Sequence, residues 1–273
     1  MMELKLSGRE YLSRGDSYEE KMRYMVDAGY DAIELTGRPD ILEVTDEIAQ
    51  ASRNTGCAVS TICSGGRGAL MAAEADQREI AMEDLRNFLT AAGQIGAAGV
   101  IYAPLIAVKM NPDRYTRLPD LSPLRGQEEL EMDLLAELAG ELAEHAEEHG
   151  VCVLWEPLNR YEQWWFNQLA DGAALCDRVD RPGCRIMADF FHMSIEEDTI
   201  AGALEEYAAD YVRHIHLADS NRATPGHGHT DFAGAFAVLD RIGWDGFMAL
   251  ECSTRGDATE DIKRAAEWLR AQA

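Results

Sequence analysis

Positive charge is scarce in this chain. Its 273 residues carry 25 Lys and Arg against 49 Asp and Glu, a formal net charge of −24 with histidine neutral. Phosphate contacts require clustered cations, so the composition argues against a nucleic-acid partner and against an anionic membrane surface. Long apolar runs are also missing: none approaches the 18 or so residues of a transmembrane helix. Residues 1–17 contain no apolar h-region, so no secretory signal is expected. The six cysteines (57, 63, 152, 176, 184 and 252) form no CxxC pair. In a chain this long they read as buried thiols in a reducing cytoplasm rather than a disulfide framework. No stretch rich in Pro, Gly or Ser marks a linker, so residues 1–273 are expected to form a single domain.

What is present is a regular alternation. Hydrophobic residues make up 47% and charged residues 27%, an ordinary globular composition. Short β-type runs lie near 3–7, 31–35, 58–63, 99–103, 151–156, 184–189, 211–217 and 247–251. Several are near-continuous in Val, Ile, Leu and Cys, as a parallel strand buried on both faces requires. Amphipathic helical patterns separate them at 17–28, 39–55, 75–95, 127–149, 168–179, 197–209, 232–242 and 257–271. Ser17 and Gly29 bracket the first of these as cap and stop. Eight such pairs, at about 34 residues each, predict an α/β fold built as one (β/α)₈ TIM barrel. A doubly wound open sheet would want a G-x-G-x-x-G turn after its first strand, and Gly8-Arg9-Glu10 is not one. The one long irregular piece, 104–126, carries four of the eight prolines and suits a lid or pocket wall.

A barrel concentrates chemistry at the C-terminal ends of its strands. Glu156, Asp189, His216 and Glu251 stand at the ends of the last four predicted strands, with spacings of 33, 27 and 35 residues. Each spacing is one strand–helix unit, so four adjacent strands would lift one metal-type ligand each to the same rim. Three carboxylates and an imidazole form a hard, oxygen-rich set, suited to one divalent cation such as Mn²⁺, Mg²⁺ or Co²⁺ rather than to a closed zinc site. Glu162 follows Glu156 by six residues, His192 follows Asp189 by three, and Arg222 follows His216 by six. All three fall in loops above the rim, where a substrate would bind. His214 and His216 point the same way on one strand, with His216 nearer the rim and His214 a deeper filler.

With these seven positions the chain resembles the xylose-isomerase-like TIM barrels, the sugar phosphate isomerase/epimerase group, and within them the D-tagatose and D-allulose 3-epimerases. The resemblance implies metal ligands at Glu156, Asp189, His216 and Glu251, with Mn²⁺ the first choice of ion. It also implies sugar contacts from Glu162, His192 and Arg222, and a homo-oligomer, either dimer or tetramer. It is specific mainly from 156 to 251; in the N-terminal half no clear match to the contacts for the far end of the sugar is found. The implied reaction is a metal-assisted epimerisation of a small ketose or keto-sugar through an enediolate. Glu156 and Glu251 would be the acid–base pair on opposite faces of the carbon. One base serving two adjacent carbons would instead give aldose–ketose isomerisation. Cleavage of a 3-keto C-glycoside by a lyase with a small partner subunit is a further alternative. A DNA-repair endonuclease of the superfamily would need more histidine than seven and a basic groove. A non-catalytic sugar-binding protein would not need ligands on four consecutive strands.

Four other features carry weaker signals. His145-Ala146-Glu147-Glu148-His149 has the spacing of a zinc motif but sits at the C-terminal end of an acidic helix, where histidine suits the helix dipole. Ser64-Gly65-Gly66-Arg67-Gly68 could cradle a phosphate or be a plain loop. Trp164 and Trp165 could wall a sugar or pack beneath the loop. Cys63 reads as a buried small residue rather than a nucleophile, and His227 and His229 as loop-ordering.

Overall fold

The structure is a computed structural model that describes residues 2–63 and 65–273. Eight parallel strands close on themselves in chain order. They are β1 (Lys5–Arg9), β2 (Ala32–Thr36), β3 (Ala58–Cys63), β4 (Gly99–Tyr102), β5 (Cys152–Trp155), β6 (Cys184–Asp189), β7 (Val212–Leu217) and β8 (Phe247–Leu250). The seam is a full ladder, with Lys5, Leu6, Ser7 and Gly8 of β1 opposite Phe247, Met248, Ala249 and Leu250 of β8. The outer ring comprises α1 (Tyr18–Asp27), α2 (Thr45–Thr55), α3 (Ala75–Ile95), α4 (Ile106–Met110), α5 (Gln127–Glu148), α6 (Leu169–Val179), α7 (Phe190–Glu196), α8 (Ile200–Tyr211), α9 (Phe232–Ile242) and α10 (Ala258–Arg270). The chain is a (β/α)₈ TIM barrel, as the alternation predicts.

Local chemistry explains the punctuation. Ser17 and Glu20 form a reciprocal capping box at the start of α1. The left-handed Gly96 ends α3 and turns the chain into β4. At Gly99 a Cβ would lie 2.0 Å from the Cys152 carbonyl oxygen, so only glycine lets β4 and β5 approach this closely. Strand faces turned to the helices bury Leu6, Ile33, Leu35, Val100, Val153, Trp155 and Ile186 completely or nearly so. Each large apolar side chain buried there stabilises the barrel by about 1.5–3 kcal/mol. The inward faces divide in two. On β3 to β6, Cys63, Ile101, Leu154 and Met187 form a separate apolar cluster. Across from it, Ser7, Arg9, Glu34, Thr61, His214 and His216 are buried polar groups.

Several boundaries differ from expectation, among them α8, which runs 200–211 rather than 197–209, and α4, which lies inside the piece 104–126 expected to be irregular. The first strand runs 5–9 rather than 3–7. Gly8 continues it, because the missing side chain leaves room for Met25, whose Cε would lie 3.2 Å from a Cβ there. The pattern at 39–55 splits into a 3₁₀ turn at 41–43 and α2. A short helix, α7, follows β6 without a loop because the Asp189 carboxylate caps it by accepting the Phe191 N–H at 2.8 Å. Among the described residues no helix is long and apolar enough to cross a membrane.

Candidate active site

The register of the last strands sets the site. Asp189 pairs opposite His216, and His216 opposite Ala249, so β6, β7 and the end of β8 deliver their side chains at one level. Glu156 follows β5 directly and its N–H bonds to the Tyr102 carbonyl at 3.0 Å, which holds it on the rim. One ligand atom from each of Glu156, Asp189, His216 and Glu251 lies within 4.8 Å of the others. His216 Nδ1 faces the group, at 3.0 Å from Glu251 Oε2 and 3.7 Å from both Glu156 Oε1 and Asp189 Oδ2. It is buried and, among the described residues, has no hydrogen-bond partner of good geometry. An orphaned imidazole nitrogen ringed by three carboxylate oxygens fits a hard divalent cation.

The flanking residues gather around the same point. Arg222 donates Nη1 to Asp189 Oδ2 and Nη2 to Glu251 Oε2, both at 2.5 Å. Its backbone adopts φ 59°, a left-handed conformation unusual for a side chain with a Cβ. That conformation is held by the Arg222 N–H on the Asp219 carbonyl and the Ser253 N–H on the Arg222 carbonyl, each at 2.8 Å. His192 is buried; its Nε2 is 3.7 Å from Asp189 Oδ2 and 3.9 Å from Glu156 Oε1. The Asn159 backbone N–H donates to His192 Nδ1 at 3.2 Å, so Nδ1 is the acceptor and Nε2 carries the hydrogen toward the site. Asn159 also donates its side-chain amide to Glu162 at 2.9 Å. Arg9, Glu162, His192, Arg222, Glu156 and Glu251 share one cavity of about 320 Å³, whose outer part is lined by Gly65, Gly66, Gly68, Ala103, Ile106 and Ala107.

The carboxylates differ electrically. Burial pushes the Glu156 carboxyl upward, and neighbouring Glu251 adds to the rise. Burial would do the same to Glu251 and Asp189. His216, Arg222 and Arg9 instead hold Glu251 below its ordinary value, while Arg222, His192 and His216 hold Asp189 far below. Burial opposes charge on His216, but Glu34 and Glu251 raise it well above its usual range.

Two groups beneath the site were not singled out by the sequence. Glu34, wholly buried on β2, accepts from Thr61 Oγ1 at 2.5 Å, Arg9 Nη1 at 3.1 Å and His216 Nε2 at 2.9 Å. His214 Nε2 lies 2.8 Å from the same carboxylate. Arg9, at the end of β1, also places Nε 3.3 Å from Glu251 Oε1. The usable signal was Glu34 itself: a charged residue between Ile33 and Leu35 inside a buried strand must have partners. The trio Glu34, His214 and His216 also lies within ligand distance, but His216 Nε2 is already committed to Glu34.

The weaker motifs resolve differently. Ser64 lies outside the described residues; next to it, Arg67 pairs with Asp84, which also accepts the Arg67 N–H at 2.6 Å. Trp164 packs under Arg117, 4.1 Å from ring centroid to guanidinium, and Trp165 donates to Glu131; neither lines the cavity. Cys63 does line it, but burial raises its thiol. His227 contacts Asp261 at 3.2 Å and orders its loop.

Comparison with known proteins places these features. Residues 22–272 match the family described as xylose isomerase-like TIM barrel. The chain is 30% identical over 252 residues to a 3-dehydro-D-guloside 4-epimerase of Escherichia coli K12, covering 92% of this chain and 93% of that protein. It is 36% identical to a D-psicose 3-epimerase of Ruminiclostridium cellulolyticum over 119 residues, 44% of this chain and 40% of that one. The crystal structure of a 3-keto-D-glucoside 4-epimerase from E. coli superposes with a TM-score of 0.85 at 27% identity, covering 98% of this chain and all of the other. These relatives are sugar epimerases, and epimerases are isomerases.

Proposed function

The chain belongs to the xylose isomerase-like TIM barrel family, and on that premise we propose that it is a divalent-metal-dependent epimerase of keto-sugars, acting on keto-glycosides. The observation that carries this is the convergence of Glu156, Asp189, His216 and Glu251 within 4.8 Å around the orphaned His216 Nδ1. Glycosides are favoured over free ketoses by the span of the likeness: the keto-glycoside epimerase matches along 92% of the chain, the D-psicose epimerase along 44%. Small residues at Gly65, Gly66, Ala103 and Ala107 leave the outer cavity open for a group beyond the sugar ring.

A divalent cation held by the four ligands, Mn²⁺ in first place, would supply the positive charge that stabilises an enediolate. The protein does the rest. His192 presents Nε2–H to a sugar oxygen, and Arg222, whose Nη1 and Nη2 each give a hydrogen, to Asp189 and Glu251 respectively, offers its remaining N–H groups beside it. Glu162, steadied by Asn159, accepts a sugar hydroxyl. Glu251, kept ionised by His216, Arg222 and Arg9, removes the proton next to the carbonyl. Glu156, the more easily protonated carboxyl, delivers a proton to the opposite face, and the carbon inverts. Six unpaired cysteines suit a cytoplasmic setting.

The test is a panel of 3-keto-glycosides and free ketoses incubated with Mn²⁺ in D₂O. Inversion of a keto-glycoside with one solvent deuterium at the inverted carbon is the expected result. Turnover of free ketoses alone would move the assignment to ketose 3-epimerisation. Release of a separate aglycone would make the enzyme a lyase.

A further inference from the structure

We propose that His145, Glu148 and His149, at the C-terminal end of α5 where it faces Thr90 of α3, form a second divalent-cation site, of zinc type, at the end of the barrel remote from the cavity. The two histidines stand four residues apart near the end of α5, so their rings lie on one face, one turn above the other. The ring centroids are 4.8 Å apart. Both Nε2 atoms converge on the Thr90 hydroxyl of α3, at 2.9 Å from His145 and 3.2 Å from His149. One ligand atom from each of His145, Glu148 and His149 lies within 4.8 Å of the others. Gly150 follows at once and leads into β5, which puts the cluster at the N-terminal end of the strands, opposite the mouth.

The pairing of the two helices is fixed by packing. A Cβ at Gly93 of α3 would lie 2.8 Å from the His149 carbonyl oxygen and 2.9 Å from its Cβ, so the helices meet at this turn. The two imidazoles are therefore held side by side before any ion arrives. Among the described residues the Glu148 side chain has no hydrogen-bond or salt-bridge partner, and one of its oxygens already lies within ligand distance of both histidines. Its neighbours Glu144 and Glu147 are engaged by Arg181, and Glu141 by Arg86.

The donor set chooses the ion. Two imidazoles and one carboxylate form the borderline set of many zinc sites, with water or the Thr90 hydroxyl completing four-coordination. This contrasts with the oxygen-rich mouth, so the two sites sort different metals. Binding requires His145 Nε2 to release the Arg86 carbonyl, which it contacts at 3.1 Å. The simpler alternative is a hydrogen-bonded pair that never takes a metal.

Zinc titration of the chelator-stripped full-length protein separates the two. The expected result is that His145→Gln/His149→Gln loses one zinc equivalent and the rise in Tm that zinc gives the parent. Visible absorption of four-coordinate cobalt should vanish with it, while epimerase kcat and KM stay at parental values. An unchanged zinc count and Tm response in that variant would overturn the proposal. Should the double variant fail to fold, Glu148→Gln carries the test: weaker zinc binding supports the site, unchanged binding rejects it. Glu251→Gln acts only on the mouth, so the count at the α3–α5 site does not depend on the catalytic assignment.

Discussion

Replacing Glu34 by Gln tests whether the buried carboxylate beneath the site governs the metal. In the structure Oε1 serves Arg9 and His216, while Oε2 serves Thr61, with His214 alongside. A glutamine of the same shape has one acceptor oxygen and an NH₂ group. Whichever way the amide turns, donors face donors on one side. Leaving a buried donor unsatisfied costs about 1–3 kcal/mol, and breaking a buried ion pair about 3–5 kcal/mol. A net loss of about 3 kcal/mol is therefore expected, lowering Tm by roughly 6–12 °C. The more specific effect falls on His216. With an ion bound, its Nε2–H on Glu34 would leave the Nδ1 lone pair for the metal, so losing that bond frees the ring to turn and to change tautomer. Outer partners of this kind are worth roughly 10–100-fold in metal affinity. The assay is calorimetric titration of Mn²⁺ into chelator-stripped Glu34→Gln and parent protein, alongside thermal unfolding. Leu35→Ala is the control: a buried neighbour on the same strand, expected to cost about 2–5 kcal/mol yet leave metal affinity intact. Parental Mn²⁺ affinity in Glu34→Gln would refute the proposed coupling.

Chelation should abolish epimerisation, and added Mn²⁺ should restore it; activity persisting in metal-free protein, checked by elemental analysis, would contradict the metal assignment. Glu156→Gln and Glu251→Gln should each cut turnover by roughly 10²–10⁴-fold, measured on pure protein with circular dichroism confirming the fold. Ala107→Trp, which fills the outer cavity, should raise KM for keto-glycosides with bulky aglycones far more than for those with a methyl aglycone. Asp261, held down to about 2 despite its burial by the Arg255 N–H, Thr224, His227 and Arg264, anchors the loop that carries Arg222. Its ordinary value is near 3.8, so its contribution is complete above about pH 4 and is lost as pH falls toward 2. Thermal unfolding should therefore show Asp261→Asn less stable than parent at pH 7, with the gap closing between about pH 4 and 2.

Much of this architecture is legible in residue order, because strand and helix periods alternate and helix ends carry their own caps. The helices at 75–95 and 232–242 begin and end where the periodicity says. The rim residues are legible for a related reason: in a parallel barrel, distance along the chain maps onto position around the mouth. What escapes is chemistry made by side chains from distant strands. Arg9, Glu34 and Thr61 stand on β1, β2 and β3 and meet His216 of β7 only when the barrel closes, so no spacing announces them. Asn159 escapes because its effect is indirect, through the hydrogen it gives to His192 Nδ1. Trp164 and Trp165 were open to two readings since a tryptophan beside a polar loop serves equally as wall or as packing. Only the partners Arg117 and Glu131 decide between them.

The division of the barrel interior explains how two glutamates of the same type can take opposite parts. Glu156 rises above the apolar half, where Ile101, Leu154 and Met187 offer its charge nothing. Glu251 rises above the polar half, within 3.3 Å of Arg9, 3.0 Å of His216 and 2.5 Å of Arg222. Both are desolvated, but Glu156 has only His216 and His192 nearby, at 3.7 and 3.9 Å, whereas Glu251 has two arginines as well. Carboxylate oxygens within 4.8 Å of each other repel, and the proton settles on the less supported of them. In the proposed reaction the side without arginines would therefore keep the proton to give, and the side with them the lone pair to receive. Exchanging those roles would require moving Arg9 and Arg222 across the barrel, not altering either glutamate. Under the proposed mechanism the buried polar half, which adds little to stability for what its desolvation costs, would serve to direct proton transfer.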